Sequence, residues 1–515
     1  MDVKRFLKEL WITKKTLLVI SVPILLLPLP LIVNTKEGKC AYGMILMAIF
    51  WITEAIPLAM TSLLPVVLFP LFGVQPVKDV AQNYTKEATM FGLGGLMVAI
   101  AVEKCNLHKR IALKTLQKVG SEPKWLMFGL MLPTWFLSMW VSNTATTAMM
   151  IPIAGAILEQ LKRFIEEEDK EAEKVAANGG VENSAFELPE ANINNVQPRV
   201  KEETNPTNGT RRVSGVDDEV ADIVINVSQI EVSESPRYAR LCKGFALSVA
   251  YSANIGGTGS LSGTGTNLVM QGQTELVFSA HGQESPINFL SWMIYALPGS
   301  MICLILAWLW LQCFFMGFRN TLCCPKKSVE AAKAVKRVIN DEYKNLGPMS
   351  FSEVTVLVHF IVLIMLWFSR EPPYLDGWGS LFPSGYVGDS AAAITVCVSL
   401  FVFPSRKPSV FCWKQSDAPS ESVPAILDWK TVHHKFPWGV LLLIGGGFAL
   451  ADASAKSGLS AWIGDELIVF SKFEPWLMNV LLTMLIAVAT EVTSNVTTAA
   501  LFLPILASMV RIHIF

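Results

Sequence analysis

Ser138-Met139-Trp140-Val141-Ser142-Asn143-Thr144-Ala145-Thr146-Thr147-Ala148 is a short polar point set in apolar sequence, and it has a counterpart in Thr490-Glu491-Val492-Thr493-Ser494-Asn495-Val496-Thr497-Thr498-Ala499-Ala500. The two asparagines are separated by 495 − 143 = 352 positions, and the same offset carries Pro152 onto Pro504, Leu107 onto Leu459, Lys104 onto Lys456 and Gly95 onto Gly447. One offset held over that stretch marks an internal repeat. Each copy has an apolar half-segment, a Ser-Asn tip and a second apolar half-segment, and each half is too short to cross a bilayer comfortably if the chain breaks at the tip. This pattern predicts a re-entrant helical hairpin. Broken backbone at membrane depth is tolerated only where protein or a wet cavity surrounds it, so interrupted segments at matching places in two halves point to a transporter's binding site. The competing reading is a pair of ordinary membrane helices whose Ser and Thr bond back to their own carbonyls. The fixed offset favours the hairpins.

Composition agrees with a membrane setting. The 515 residues are 52% hydrophobic and 17% charged, with a mean hydropathy of +0.43, a balance that suits an all-α polytopic membrane protein and argues against a soluble enzyme. The net charge of −1 offers no basic excess for nucleic acid. Nine cysteines lack the paired two-residue spacing of a zinc site and read as packing residues. No enzyme active site is expected, because no His/Asp/Ser group or metal cluster falls at membrane depth.

Taken in order, residues 1–90 form N-terminal spans of a scaffold. Leu17–Val33 is a retained first span rather than a cleaved leader, because Lys36-Glu37-Gly38-Lys39 follows it instead of a small-residue cleavage site. Ala41–Ile56 and Leu58–Val74 are the next pair, with Glu54 read as a structural acid near the kink at Pro57. Asn83-Tyr84-Thr85 is expected to face outwards, where Asn83 would accept a glycan. Residues 91–158 comprise a span, a basic interfacial helix from Glu103 to Lys124, and the first hairpin, entered from the cytoplasmic side. Residues 159–240 read as a disordered cytoplasmic loop. Residues 241–318 hold a glycine-rich broken helix and a long span, and 319–350 a basic cytoplasmic loop. Residues 351–404 are scaffold spans of the second repeat, 405–435 a cytoplasmic loop, and 436–515 a span and the second hairpin, entered from outside. The charge rule applied loop by loop thus yields repeats of inverted topology with a cytoplasmic N-terminus. Symmetry then calls for a second glycine-rich broken helix after Pro504, and with Phe515 as the last residue the second repeat is expected to be incomplete.

The candidate site residues are short, neutral and oxygen-rich. They are Ser138, Ser142, Asn143, Thr144, Ser262, Thr264 and Asn267 in one half, and Thr490, Ser494, Asn495, Thr497 and Thr498 in the other. Five residues before each tip asparagine stands a hydroxyl, Ser138 in one copy and Thr490 in the other. Neutral oxygens and carbonyls hold sodium without a buried carboxylate. Helix-start amides, tip amides and hydroxyls meet an anion. Neither tip carries Lys or Arg, so a multivalent anion needs cations travelling with it. A membrane potential opposes inward movement of a dianion by about 2.3 kcal/mol per charge per 100 mV, and three or more sodium ions would reverse the sign.

At these residues the sequence resembles the divalent-anion/sodium symporter family, the sodium-coupled carriers of dicarboxylates, citrate and sulfate. The resemblance rests on Ser142-Asn143-Thr144, Ser494-Asn495-Val496, Gly263-Thr264-Gly265-Thr266-Asn267, Trp51 to Pro57 and Gly445 to Ala451, and covers nearly the whole chain. It implies a plasma-membrane homodimer with a scaffold and a moving transport domain working as an elevator, without a cofactor beyond co-transported sodium. It places a first sodium site on Ser138, Asn143, Gly263 and Asn267 and a second on Thr490 and Asn495. Substrate is then held by Ser142, Asn143, Thr144 and Ser262 together with Ser494, Asn495 and Thr497 of the second tip. The stretches from Asn143 to Ala148 and from Asn267 to Gln273 resemble the carboxylate carriers, which favours di- and tricarboxylates such as succinate and citrate; Thr266 is similar to the sulfate branch. Sulfate is therefore one alternative cargo. A C-terminally truncated, non-transporting form acting on a full-length partner is another reading.

Overall fold

A computed structural model of the chain describes residues 13–118, 123–178, 236–279, 282–316, 329–383, 385–407, 422–466, 474–491 and 493–514. The described residues are helical, with one isolated β-bridge between Pro404 and Ala425. The helices are α1 Lys14–Leu26, α2 Lys36–Thr53, α3 Leu58–Thr61, α4 Leu64–Leu71, α5 Val77–Gln82, α6 Glu87–Lys104, α7 Leu107–Lys118, α8 Pro123–Ser138, α9 Asn143–Asn178 and α10 Pro236–Thr258. They continue as α11 Gly265–Ser279, α12 Phe289–Leu311, α13 Val329–Asn345, α14 Phe351–Arg370, α15 Asp389–Val402, α16 Trp429–Lys435, α17 Trp438–Ser457, α18 Leu459–Glu466, α19 Pro475–Thr490 and α20 Asn495–Ile514. Among the described residues, five stretches are long and apolar enough to cross a membrane: Lys14–Val33, Val77–Lys104, Phe289–Met316, Phe351–Arg370 and Trp438–Ser457. This is an integral, multi-pass membrane architecture.

The sequence offset reappears in the helix boundaries. Adding 352 to Val77, Leu107, Pro123, Ser138 and Asn143 gives Trp429, Leu459, Pro475, Thr490 and Asn495, which are the corresponding starts and ends of helices. The two halves also interlock crosswise. Helix α6 packs on α15 of the second half, and α17 packs on α2 of the first. Lys104, at the end of α6, pairs with Asp428, the N-cap of α16. Its counterpart Lys456 pairs with Asp79 of α5 at 3.5 Å. Each half thus reaches for the equivalent of its own element in the other.

Two buried ion pairs fasten this frame. The Arg110 guanidinium donates to both carboxylate oxygens of Glu353, at 2.8 and 3.2 Å, and to the carbonyls of Leu346, Gly347 and Pro348. Glu353 also closes the capping box of α14 with Ser350, so one carboxylate fixes a helix start and anchors α7 to it. The second pair is Arg370–Asp389 at 2.6 Å, where Asp389 further accepts from the Phe289 amide and so ties α12, α14 and α15 together. Isolated buried charges would be prohibitive; these are bidentate or multiply bonded.

Several segments differ from expectation. The stretch Leu58–Val74 is not one span but α3 and α4 separated by a turn, because Pro57 and Pro65 start a helix readily and Pro70 cannot extend one far. Glu54 is the left-handed C-cap of α2 with φ +47°, and it is exposed, in keeping with a structural role. Helix α9 runs on to Asn178, twenty residues into the stretch read as a loop, since Glu, Lys and Ala are strong helix formers even in a polar run; residues 179–235 of that stretch lie outside the described residues. The basic loop 319–350 contains α13, an amphipathic helix whose buried Val335 and Ile339 pack towards α7 and α9. The loop 405–435 ends in α16, capped by Asp428.

Candidate functional site

The chain turns at both tips as the sequence requires. Helix α8 stops at Ser138 and α9 starts at Asn143; α19 stops at Thr490 and α20 starts at Asn495. Both α8 and α19 have 16 residues, about 24 Å at 1.5 Å per residue, short of a bilayer's hydrocarbon thickness. Ser142 caps α9 by accepting from the Ala145 amide at 3.3 Å, and Ser494 caps α20 by accepting from Thr497 at 3.2 Å. The hydroxyl five residues before each asparagine donates to its Oδ1: Ser138 to Asn143 at 2.7 Å and Thr490 to Asn495 at 2.7 Å. These two bonds of the first tip map onto those of the second by the offset of 352. Thr497 and Thr498 are buried, with Thr497 Oγ1 at 2.7 Å from Ser494 Oγ and Thr498 donating to the Ser494 carbonyl.

The glycine-rich break separates α10 from α11, and the first tip lies against it. Trp140 lodges its ring between Phe289 and Phe360, with centroids 6.0 and 4.9 Å away, while Ser260 Oγ donates to the Met139 carbonyl. Gly257 is the meeting point. A Cβ there would stand 2.5 Å from Asn143 Oδ1, and a Cβ on Gly263 would stand 2.5 Å from the Gly257 carbonyl, so neither glycine admits a side chain. Asn267 is buried and donates both amide protons across the break, to Gly257 O at 2.9 Å and Ser260 O at 2.8 Å. Ser138, Asn143, Gly263 and Asn267 are therefore contiguous around Gly257. Their polar groups are carbonyl, hydroxyl and carboxamide oxygens, ligand types that suit a hard monovalent cation.

The second tip meets the other end of the same break. Val496 approaches Gly265, the first residue of α11, with a methyl 3.2 Å from where its Cβ would stand, and Gly447 of α17 faces Ala500 of α20. Ser262, in the break, is buried, lies 3.5 Å from Ser260 Oγ and faces Gly95 of α6. Thr264 accepts from the Asn267 amide through its carbonyl at 3.2 Å, and Thr144 is exposed at the start of α9. The two tips thus abut opposite ends of one broken helix. Among the described residues, no group of three or more His, Cys, Asp or Glu side chains is placed to hold a metal ion.

Two placements depart from the sequence reading. Asn83 is not an outward glycan acceptor: it is 2% exposed, and its amide donates to the Asp79 carbonyl and to Asp452, an environment closed to an oligosaccharide. Asn254 was not among the candidates, yet its Oδ1 accepts from Asn143 Nδ2 at 3.1 Å. Its signal was present as a carboxamide one helical turn before Gly257.

A sequence profile of the sodium:sulfate symporter transmembrane region matches residues 8–514. Rat solute carrier family 13 member 2 is 45% identical over 509 residues, 98% of this chain and 82% of the relative. The rat Na(+)/citrate cotransporter is 41% identical over 508 residues, covering 97% and 83% of the two chains. The mouse Na(+)/dicarboxylate cotransporter 3 is 39% identical over 512 residues, covering 98% and 82%. With broken apolar hairpins, a neutral oxygen cluster and these likenesses together, the chain belongs to the sodium:sulfate symporter family.

Proposed function

We propose that this protein is a sodium-coupled symporter that imports di- and tricarboxylates such as succinate and citrate across the plasma membrane. The observation that carries the reading is the convergence of Ser138, Asn143, Gly263 and Asn267 around Gly257, with the second tip at the far end of the same break. The first cluster takes one sodium ion, and Thr490 with Asn495 contributes to a second. Substrate lies between the tips, met by Ser142, Asn143, Thr144, Ser262, Ser494, Asn495 and Thr497 and by the amides that start α9, α11 and α20. With no Lys or Arg on either tip, the cations neutralise the cargo. Carboxylate cargo is favoured by the relatives, whose names are citrate and dicarboxylate cotransporters.

The halves stand in opposite senses across the membrane, with the N-terminus cytoplasmic. The crosswise pairs Lys104–Asp428 and Lys456–Asp79 support a two-fold axis between them, and the basic segments after α6 and before α17 support its lying in the membrane plane. Transport proceeds by an elevator movement of the tips and broken helix against a dimeric scaffold. Uptake of radiolabelled succinate, with sodium replaced by choline and with excess unlabelled sulfate as competitor, tests the assignment. Sodium-dependent uptake that citrate reduces and sulfate does not is the expected result. Equal uptake in choline removes the symport reading, and sulfate competition at least as strong as citrate's moves the cargo to sulfate.

A further inference from the structure

We propose that Asn254 is a positioning residue for the first sodium ion, an inference that rests on the symport reading above. A carboxamide next to a cation must present its oxygen and keep its N–H groups away, yet the two ends of an asparagine are nearly equal in size and exchange by a half-turn about χ2. At Asn143 two bonds decide the orientation. The Ser138 hydroxyl donates to Oδ1 at 2.7 Å, and Nδ2 donates to Asn254 Oδ1 at 3.1 Å. The Ser138 bond alone is a weak determinant, because a hydroxyl rotates and serves equally as acceptor. If it turned, Asn143 Nδ2 could donate to Ser138 Oγ with no loss of bond count, and a cation would then meet amide protons. The acceptor on Asn254 opposes that option, because Nδ2 would give up this second bond unless the Asn254 carboxamide turned with it. It holds Nδ2 on the α10 side and leaves Oδ1 beside Gly257, whose missing side chain gives the carboxamide its room.

The position on the helix makes this geometry rigid. Asn254 precedes Gly257 by three residues on α10, so the two face the same side, and α10 is fixed below by Ser300 accepting from Trp135 and donating to the Ile255 carbonyl. When sodium arrives, Ser138 turns its proton away and the two oxygens, already 2.7 Å apart, face the ion together. The second tip has the same Thr490–Asn495 bond. Its orientation is therefore set by the hydroxyl, whereas the first is set from both ends.

Loss of the Asn254 acceptor lowers the fraction of chains with Oδ1 presented, and apparent ion affinity falls by that fraction. A single hydrogen bond of ordinary strength corresponds to roughly a three- to tenfold change. The test uses the full chain and the variants Asn254→Leu, Asn254→Asp and Asn254→Ser, with two readouts: sodium activation of succinate uptake, and the sodium dependence of the melting temperature of the purified protein. Asn254 is exposed, so the replacements leave the packed interior alone. In Asn254→Leu the half-saturating sodium concentration rises about three- to tenfold in both readouts, while the maximal uptake rate at saturating sodium stays within about twofold. Asn254→Asp, which keeps an acceptor in place, retains the sodium affinity of the unaltered chain or exceeds it. An unshifted sodium curve in Asn254→Leu and Asn254→Ser overturns the proposal, as does an equal loss in Asn254→Leu and Asn254→Asp. Absence of any sodium response in the unaltered chain overturns this proposal and the symport reading together.

Discussion

The two tips have the same internal bonds and different surroundings. In the first, Ser138 is fully buried, helix α8 is packed under α10, and the break in α10–α11 supplies Gly257, Gly263, Asn267 and Asn254. In the second, Asn495 is exposed and Thr490 partly so, α19 has no buried residue, and Trp476, Met484 and Val488 are each more than 60% exposed. Yet the hydroxyl-to-asparagine distance is 2.7 Å in both. The tip is therefore a local structure, encoded by the spacing of a hydroxyl, a serine cap and an asparagine. A cation site is more than a tip: it needs a second element that delivers carbonyl oxygens and leaves a notch for the carboxamide. The apolar face of α19 is suited to lipid or to a packed helix, and its exposure marks where that second element differs between the halves.

The largest expected difference between the halves is in their anchoring. Arg110→Met strands Glu353 in the interior and destabilises the fold by about 3–5 kcal/mol. Lys456→Met breaks pairs on a half-exposed side chain and costs under about 1 kcal/mol. Thermal unfolding of the two purified variants checks this, and equal losses would show that both halves are held alike. Next in size, Gly257→Val displaces Asn143 and lowers sodium-dependent uptake by roughly 100-fold, whereas Gly265→Ala, whose near neighbours are valine methyls, lowers it by no more than about threefold. Uptake normalised to surface protein measures both. A smaller contrast separates the hydroxyls. Ser138→Ala deletes a fully buried hydroxyl that bonds Asn143 and raises half-saturating sodium by about 30-fold, while Thr490→Ala, on a solvated pair, raises it by about threefold. Equal shifts would make the surroundings irrelevant and leave the tips alone in control.

Much of this was legible in the residues. The fixed offset located both breaks, the helix starts at Asn143 and Asn495 and the hydroxyls before them, because tip geometry depends on sequence neighbours and one helical turn; Asn267 was marked by the glycine-rich stretch and Gly263 by the family resemblance. What depends on packing between distant segments was not. Nothing local to Arg110 says that it turns inward, although Ser350 and Glu353 form a recognisable capping box. The burial of Asn83 comes from Asp452, 369 positions away. Asn254 reads as one more polar residue in an apolar helix until α8 is laid against α10. The positive charge of residues 319–350 points to a loop, whereas the periodicity of α13 makes it a helix that buries Val335 and Ile339.

In the proposed symport, neutral oxygens at the two tips need sodium to carry a polyanion. This need is tested most directly by recording current and tracer uptake together while succinate is added to membranes containing the chain, first in sodium and then in choline. Uptake is expected to rise steeply with sodium and to carry an inward current of positive charge, from three or more sodium ions per dianion, with both lost in choline. Uptake in choline equal to that in sodium would contradict it.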